Sequence, residues 1–240
     1  MFWKKKKNNK IVFWCELKGP PDIVPIRESK HFIPEWFKKT PSFLPESNEL
    51  IDMPTVKRCP GFIDFFQMGY VLPAWCDFHL EIGEDKAKVN TPNNAFPVSW
   101  HSPSQFADYL PEHAKDQIKL IFKPSNPWRV KTPKGISMLQ LPMSYHYNPD
   151  FYALTGIRDS YIYHQFNAQL AFIKTGELFI KRGTPLAMYI PVMTNKFDMI
   201  IRKQTEEDAK AAGLAEYGVH SSFDGGFRAL EKKVYEDEKI

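Results

Sequence analysis

Histidine is the side chain in this sequence best suited to bind a metal ion, and seven histidines are present. His146 and His164 flank a predicted strand connection and His101 follows Trp100, so these three histidines are the candidate ligands. The spacing gives no H-x-H or H-x-D pair, which would present two ligands from one strand. His164 also falls on the apolar face of a predicted strand, where a hydrogen-bonded core histidine is commoner. We therefore predict no metal site, and the identity of any cofactor stays open.

Asp159 is the candidate for acid–base chemistry. It ends the run Gly156-Ile157-Arg158-Asp159, which precedes the strongest predicted strand. A carboxylate can transfer protons, whereas an Arg–Asp pair in a loop is usually an exposed ion pair of low energy. The sequence contains no P-loop, G-x-G-x-x-G, H-E-x-x-H or G-x-S-x-G motif. Whether the protein is an enzyme therefore stays open.

Aromatic side chains are the candidate ligand-binding groups. Trp75, Trp100 and Trp128 belong to a chain with 15% aromatic residues, and Arg158 adds a candidate cation. Aromatic surfaces suit sugars, nucleobases or peptides. The alternative is that these rings fill the space between two small sheets.

The positive charge of the chain is concentrated at its start. The net charge is +4, and the five lysines at positions 4–7 and 10 exceed it, so the remainder carries −1. A nucleic-acid groove spread over the fold would need a basic stripe, which this remainder does not supply. Residues 1–10 are predicted to be a flexible basic tail, which keeps the chain soluble or contacts phosphate or anionic lipid.

Cysteine usage and hydropathy indicate a soluble intracellular protein. Cys15, Cys59 and Cys76 are odd in number and widely spaced, which predicts reduced thiols that serve mainly as small apolar side chains. No apolar run approaches the roughly 18–20 residues that a membrane-spanning helix requires.

Strand patterns dominate the elements that would position these residues. The segment 160–173 alternates most clearly, followed by shorter strands at 178–181 and 186–192, which together predict an antiparallel meander. The strands Trp128–Lys131 and Ile136–Leu141 are predicted to pair across a tight turn. The predicted apolar face of the longest strand consists of Ile162, His164, Phe166, Ala168, Leu170 and Phe172.

The predicted fold is therefore mainly β, an antiparallel barrel or sandwich with short peripheral helices. Twenty prolines favour many short elements over long helices. A single β-rich domain is predicted over 11–203, and a helical appendage over 204–240. Within the appendage, Thr205 and the acids after it predict a helix that stops near Gly213, followed by a second helix at 227–238.

The sequence resembles an uncharacterised family found in tailed phages, notably T4-like marine phages, and in some bacteria. The resemblance rests on the lysine-rich start, on Gly156 and Asp159, and on six runs, which together span most of the chain up to about Val192: Ile33-Pro34-Glu35-Trp36, Cys59-Pro60-Gly61-Phe62, Pro127-Trp128, Thr132-Pro133-Lys134-Gly135, Ile180-Lys181-Arg182-Gly183-Thr184-Pro185-Leu186 and Ile190-Pro191-Val192. It implies a phage protein in the host cytoplasm or the virion, and it implies no activity.

A second resemblance is to the β-barrels of the dUTPases and dCTP deaminases. Gly156 and Asp159 match a segment that opens a strand there, and the run 183–189 matches one that closes the barrel. Met188 stands where those families carry glutamine, and their Arg-Ser-Gly motif does not follow Gly135. A cupin-like barrel is a comparable alternative, although its metal-binding histidines are not matched.

A patterned core without a recognisable catalytic set favours a non-enzymatic binding or virion-associated β-module. The alternative is a nucleotide-directed or metal-dependent enzyme that acts on small molecules from a dUTPase-like or cupin-like barrel. The expected partner is a protein or a small molecule, and assembly into a homo-oligomer is compatible with both functions.

Overall fold

The computed structural model describes residues 10–16, 23–44, 53–83, 87–92, 98–101, 103–166, 168–195 and 197–221. In residues 103, 107 and 214–221 only the backbone is described. The chain divides into two compact units, one from the described residues of 1–32 and 68–195 and the other from those of 33–67 and 196–240. The domain boundaries inferred from the sequence stay predictions, and nine of the ten residues of the predicted basic tail lie outside the described residues.

The first unit contains fourteen described strands. They are β1 Val12–Cys15, β2 Arg27–Glu28, β3 Tyr70–Pro73, β4 Phe78–Ile82, β5 Ala87–Asn90, β6 Val98–His101, β7 Leu120–Pro124, β8 Trp128–Lys131, β9 Ile136–Leu141, β10 Phe151–Ala153, β11 Gly156–Arg158, β12 Leu170–Phe172, β13 Gly176–Ile180 and β14 Pro185–Met193.

Four described helices accompany these strands, together with short 3-10 turns. The helices are α1 Glu35–Lys39, α2 Pro60–Gln67, α3 Glu112–Lys115 and α4 Glu206–Ser221. The 3-10 turns are Ser29–Phe32, Val56–Arg58, Pro103–Gln105 and Ala107–Tyr109. Among the described residues, no helix is long and apolar enough to cross a membrane.

The described strands form four antiparallel sheets, so the prediction of a mainly β, antiparallel fold is confirmed. The sheet orders are β11-β9-β14-β3-β2, β10-β12-β7-β6, β13-β4-β5 and β1-β8. Within the described part of the chain, none of these sheets closes on itself as a barrel.

The predicted meander is wrong, because consecutive strands join different sheets. β12 pairs with β7 and β10, β13 pairs with β4, and β14 pairs with β3 and β9. The predicted pairing of β8 with β9 is also wrong, since β8 pairs with β1 and β9 lies between β11 and β14. Local alternation therefore identified strands but did not identify their partners.

The long strand predicted at 160–173 is reduced to β12 by a local turn. Asp159 Oδ1 accepts a hydrogen bond of 2.9 Å from the Tyr161 amide, and the Asp159 carbonyl accepts one of 3.0 Å from the Tyr163 amide. These bonds satisfy the backbone locally, so they compete with pairing in a sheet. Ile162 consequently lies 76% exposed, whereas Leu170 and Phe172 are fully buried.

The core of the first unit draws side chains from all four sheets. Leu72 on β3, Phe78 on β4, Phe122 on β7 and Val130 on β8 are at most 1% exposed and belong to one apolar cluster. Burial of each such side chain contributes roughly 1.5–3 kcal/mol. The four sheets of the first unit therefore pack on one shared core.

The second unit contains α1, α2 and α4. In α1, the carbonyls of Phe37 and Lys38 near the C-terminal end accept hydrogen bonds of 2.8 and 3.2 Å from Lys57 Nζ. α4 begins after Thr205 and continues past Gly213 to Ser221, so the predicted stop near Gly213 is wrong. The second predicted C-terminal helix lies outside the described residues.

Candidate functional site

A cavity of about 200 Å³ lies at the edge of the five-stranded sheet, beside β11. We call it the β11 cavity. One wall is formed by β9, β11 and β14, and the other by residues of the segment 160–169. β11 is the terminal strand of its sheet, so the cavity lies at the sheet's edge rather than behind its centre.

The floor of the β11 cavity is a row of residues paired across the sheet. Gln140 on β9 pairs with Gly156 on β11 and with Tyr189 on β14. The Tyr189 hydroxyl donates a 2.6 Å hydrogen bond to Gln140 Oε1, and Gln140 Nε2 donates a 2.6 Å bond to the Leu154 carbonyl. These bonds fix Leu154, which lines the cavity just before β11.

β11 places a cation and an open position on one face. Gly156 and Arg158 are two residues apart, so in a strand both positions face the same side of the sheet. Across the sheet, Gly156 pairs with Gln140 and Arg158 pairs with Met138. Both β11 residues line the cavity. A Cβ atom added to Gly156 would meet no other atom within 4 Å, so this glycine leaves space that a side chain would fill.

The opposite wall is held by backbone hydrogen bonds to other parts of the unit. Val130 N donates a 2.8 Å bond to the His164 carbonyl, and Leu154 N donates a 2.8 Å bond to the Gln169 carbonyl. Phe166 packs on Tyr189 with ring centroids 4.4 Å apart. The wall that carries Gln169 and Phe166 is therefore part of the folded unit rather than a separate loop.

Polar groups on this wall come from Ser160, Gln165 and Gln169. The Tyr163 hydroxyl donates a 2.6 Å bond to Gln165 Oε1, which directs the amide of that side chain. The lining of the cavity therefore combines hydroxyl and amide groups with apolar side chains such as Met138.

Arg158 is the one charged residue in the described lining of the cavity. Its guanidinium lies 4.7 Å from the centroid of the Tyr163 ring, a cation–π distance. Burial raises the pKa of Tyr189, and the positive charge of Arg158 opposes that rise. The phenol therefore stays neutral and serves as a hydrogen-bond donor. The described lining contains Arg158 and no Asp or Glu.

Of the residues singled out from the sequence, Arg158 lines the β11 cavity, and Asp159 follows it directly. Asp159 is exposed, and its carboxylate is engaged by the Tyr161 amide at 2.9 Å. The proposed acid–base role of Asp159 stays a prediction.

The three tryptophans lie elsewhere and do not line the cavity. Trp75 is 1% exposed in the core, which matches the alternative that aromatic rings fill the interior. Trp128 is half-buried and its indole N–H donates a 3.2 Å bond to the Val24 carbonyl. Trp100 is 43% exposed on β6, the terminal strand of the four-stranded sheet. Their ligand-binding role stays a prediction.

The three candidate histidines have separate environments. His101 Nδ1 lies 3.2 Å from Gln105 Oε1, and His164 Nδ1 lies 3.0 Å from the Ser160 carbonyl. Burial lowers the pKa of His146, opposed by a hydrogen bond to the backbone of Phe32. Within the described part of the chain, no group of three His, Cys, Asp or Glu residues is placed to hold a metal ion.

Apart from Arg158, the residues that build the cavity were not identified from sequence patterns. Gln165 and Gln169 fell on the polar face of a predicted strand, where such side chains usually meet solvent. Gln140 interrupts an apolar run, and this is the one local signal that could have identified it, because a polar residue on a buried strand needs a partner.

No model of a known protein family matches the chain, and no curated protein shows significant similarity to it.

Proposed function

We propose that this protein is a non-enzymatic binding module whose ligand site is the β11 cavity. The observation that carries the proposal is the convergence of Arg158, Gln165 and Ser160 on one cavity. Ligand sites combine an apolar lining with a few placed polar groups, and the β11 cavity has both. Its floor is fixed by the hydrogen bonds of Gln140, so little ordering would be needed on binding.

The test is a fragment screen by ligand-observed NMR, in which the open position at Gly156 is filled. Gly156→Phe should place a ring in the cavity without a backbone clash, because nothing lies within 4 Å of an added Cβ. Fragments that bind the wild type should lose binding to this variant. Gly156→Ala is the matched control, since one carbon leaves most of the cavity open. Fragments that bind Gly156→Phe as well as the wild type would overturn the assignment of the site.

The same experiment separates binding from catalysis. A binding module should leave every bound fragment chemically unchanged after prolonged incubation. Turnover by the wild type that is lost in Asp159→Asn would replace the binding module with the enzymatic alternative, because Asp159 adjoins the cavity-lining Arg158.

The arrangement of the sheets is proposed to be an open sandwich. The five-stranded and four-stranded sheets contribute to one apolar cluster, for example through Leu72 and Leu186 from the first and Leu120 and Phe151 from the second. Two sheets that share a core in this way are typical of sandwiches. An experimental structure that shows continuous hydrogen bonding around a closed ring of strands would contradict the sandwich.

The proposed biological setting is a phage protein in the host cytoplasm or the virion, which rests on the family resemblance of the runs at 33–36, 59–62 and 180–192. Mass spectrometry of purified virions distinguishes the two locations. Stoichiometric recovery with the virion supports a virion-associated module, and its absence there with abundance in infected cells supports a cytoplasmic one.

A further inference from the structure

We propose that the β11 cavity binds a small uncharged molecule through a primary carboxamide group, with Ser160 and Gln169 as its hydrogen-bond partners. This inference deepens the proposed function and rests on it. The chemical class of the ligand follows from three properties of the cavity: the polar groups that are open to a ligand, the engagement of its one cation, and its size.

Ser160 supplies a buried hydroxyl. The residue is 2% exposed and lines the cavity. Its carbonyl lies 3.0 Å from His164 Nδ1, whereas its hydroxyl has no hydrogen-bond partner among the described residues. The hydroxyl oxygen is not sealed from solvent, so the cavity is the space from which it can be reached. A buried hydroxyl without a partner costs free energy, and a ligand in the cavity would supply that partner.

Gln169 supplies a side-chain amide. Its backbone carbonyl accepts a 2.8 Å bond from Leu154 N, which continues the β10–β12 pairing by one residue. Residues paired across a sheet carry their side chains on the same face, and Leu154 lines the cavity. Gln169 is half-buried and lines the cavity as well. Within the described part of the chain its side-chain amide has no hydrogen-bond partner, so this amide is open to a ligand.

A primary carboxamide suits both groups. The Gln169 amide carries a carbonyl acceptor and N–H donors side by side, so a ligand carboxamide can pair with it through two hydrogen bonds. The Ser160 hydroxyl can donate to the carbonyl of the ligand or accept from its second N–H group. A carboxylate offers no donor and a hydrocarbon offers neither group, so each would leave a polar group of the cavity without a partner.

The engagement of Arg158 favours an uncharged ligand. Its guanidinium lies 4.7 Å from the centroid of the Tyr163 ring, and it has a further interaction within the protein. Tyr163 does not line the cavity, and the described lining contains no Asp or Glu. A charged ligand would therefore lose its hydration without a free counter-charge to replace it, whereas an amide is desolvated at lower cost.

Size and apolar surface define the rest of the ligand. The cavity holds about 200 Å³, and an apolar cavity of about 150 Å³ is large enough to bind benzene. Met138, Leu154 and Phe166 form apolar parts of the lining. A carboxamide attached to a single ring or to a short hydrocarbon would bury its body on these residues.

The test compares primary amides with compounds of the same shape, by calorimetry and ligand-observed NMR. Benzamide and cyclohexanecarboxamide are the probes. Acetophenone and cyclohexyl methyl ketone keep the carbonyl and lack the N–H donor, and benzoate and cyclohexanecarboxylate replace the donor with a charge. At least one amide should bind the wild type saturably and at least tenfold more tightly than its ketone and its carboxylate.

Gln169→Met removes the amide and keeps the side-chain length. The preference for the amide over its ketone should fall from at least tenfold to within about twofold, because neither compound can then bond to residue 169. Ser160→Ala should weaken the amide at least threefold. A preference for the amide that survives unchanged in Gln169→Met would overturn the assignment.

Ser137→Ala is the matched control for Ser160→Ala. Ser137 is a serine on β9 that is 4% exposed and lies outside the described lining of the cavity. Its replacement should leave amide binding within about twofold. Circular dichroism and thermal melting verify that all three variants are folded. Equal weakening by Ser160→Ala and Ser137→Ala would remove Ser160 from the site.

The outcomes separate this inference from the proposed function. Fragments that bind the wild type and lose binding in Gly156→Phe, without a preference for primary amides, would retain the binding module and reject the carboxamide. Carboxylates that bind more tightly than the matching amides would do the same. Amides that show no binding sensitive to Gly156→Phe, together with a fragment screen that also finds none, would reject both.

A carboxamide can come from a free small molecule or from an asparagine or glutamine side chain of a polypeptide. Butyramide and N-acetylglutamine methylamide distinguish these sources, with N-acetylleucine methylamide as the control for the peptide groups. Tighter binding of the blocked glutamine than of butyramide, with none of the blocked leucine, would assign the carboxamide to a polypeptide. Tighter binding of butyramide would assign it to a free small amide.

Discussion

The Tyr189 hydroxyl on β14 donates a 2.6 Å hydrogen bond to Gln140 Oε1 on β9, directly across a pair in the sheet register. Gln140 Nε2 in turn donates a 2.6 Å hydrogen bond to the Leu154 carbonyl. The side-chain amide of Gln140, a residue only 8% exposed, thus connects β14, β9 and Leu154, which all line the β11 cavity.

Tyr189→Phe is expected to lower the free energy of unfolding by about 1–3 kcal/mol, because it leaves a buried amide oxygen without its donor. Gln140→Met in the same background should cost less than it does in the wild type, since the two side chains share one bond. Urea unfolding of the two single variants and the double variant measures this coupling. Strictly additive costs would show that the hydrogen bond contributes nothing to stability.

Leu170 and Ile162 provide a direct test of the corrected strand. Leu170→Ala is expected to lower the free energy of unfolding by about 2–5 kcal/mol, because Leu170 is fully buried in the core. Ile162→Ala is the control from the same apolar pattern, and it should stay within about 0.5 kcal/mol because Ile162 is 76% exposed. Similar large losses for both variants, measured by urea unfolding, would restore the continuous strand at 160–173.

The contrast between these two residues shows what the sequence could predict of the fold. Alternation correctly identified Leu170 and Phe172 as buried positions, because β12 lies between β10 and β7 and contributes to the core. The same alternation failed at Ile162, where the Asp159 carboxylate bonds the backbone two residues ahead. Local patterns report which residues prefer burial, whereas the sheet partners of β12, β13 and β14 depend on contacts distant in sequence.

The candidate site was predictable only in part for a related reason. Arg158 was identified because a charged residue in a predicted loop is conspicuous. Gln140 and Tyr189 belong to apolar strands, and their roles follow from the register that pairs them. The β11 cavity is therefore a product of strand pairing, which a single sequence does not specify.

Gly69 is expected to be one of the least replaceable residues of the first unit. Its φ is +76°, and a Cβ atom there would lie 2.3 Å from the backbone oxygen of Tyr189. Gly135 is the matched control, because its φ is +83° and nothing lies within 4 Å of an added Cβ. Gly135→Ala should cost about 1–2 kcal/mol from backbone strain, and Gly69→Ala a further 1–3 kcal/mol from the forced displacement of β14.

Thermal and urea unfolding measure both glycine variants in the same buffer. A cost for Gly69→Ala no larger than that for Gly135→Ala would mean that β14 moves away from residue 69 without loss. It would also contradict the close approach of residue 69 to the backbone of Tyr189 and Ile190.

Cys76 is expected to be the least reactive of the three thiols. It is buried in the core, while Cys15 and Cys59 are half-buried. Burial, reinforced by the negative charge of Asp77, raises the pKa of the Cys76 thiol to about 12. Because the thiolate is the reactive form, Cys76 at pH 8 should be alkylated about a thousandfold more slowly than an ordinary cysteine. Mass spectrometry of iodoacetamide-treated native protein measures the three rates, and a Cys76 rate equal to that of Cys15 would contradict the burial.

The same shift predicts how stability depends on pH. The folded state holds the Cys76 proton up to a pKa of about 12, whereas the unfolded thiol releases it near 8.5. Between these values the unfolded state binds fewer protons, so the free energy of unfolding should fall as the pH rises above about 8.5. Cys76→Ala removes this titration and should show a shallower decline in urea unfolding between pH 8 and pH 10. Cys15→Ala is the control for loss of a half-buried thiol, and identical slopes for Cys76→Ala and the wild type would show that the Cys76 thiol titrates normally in the folded state.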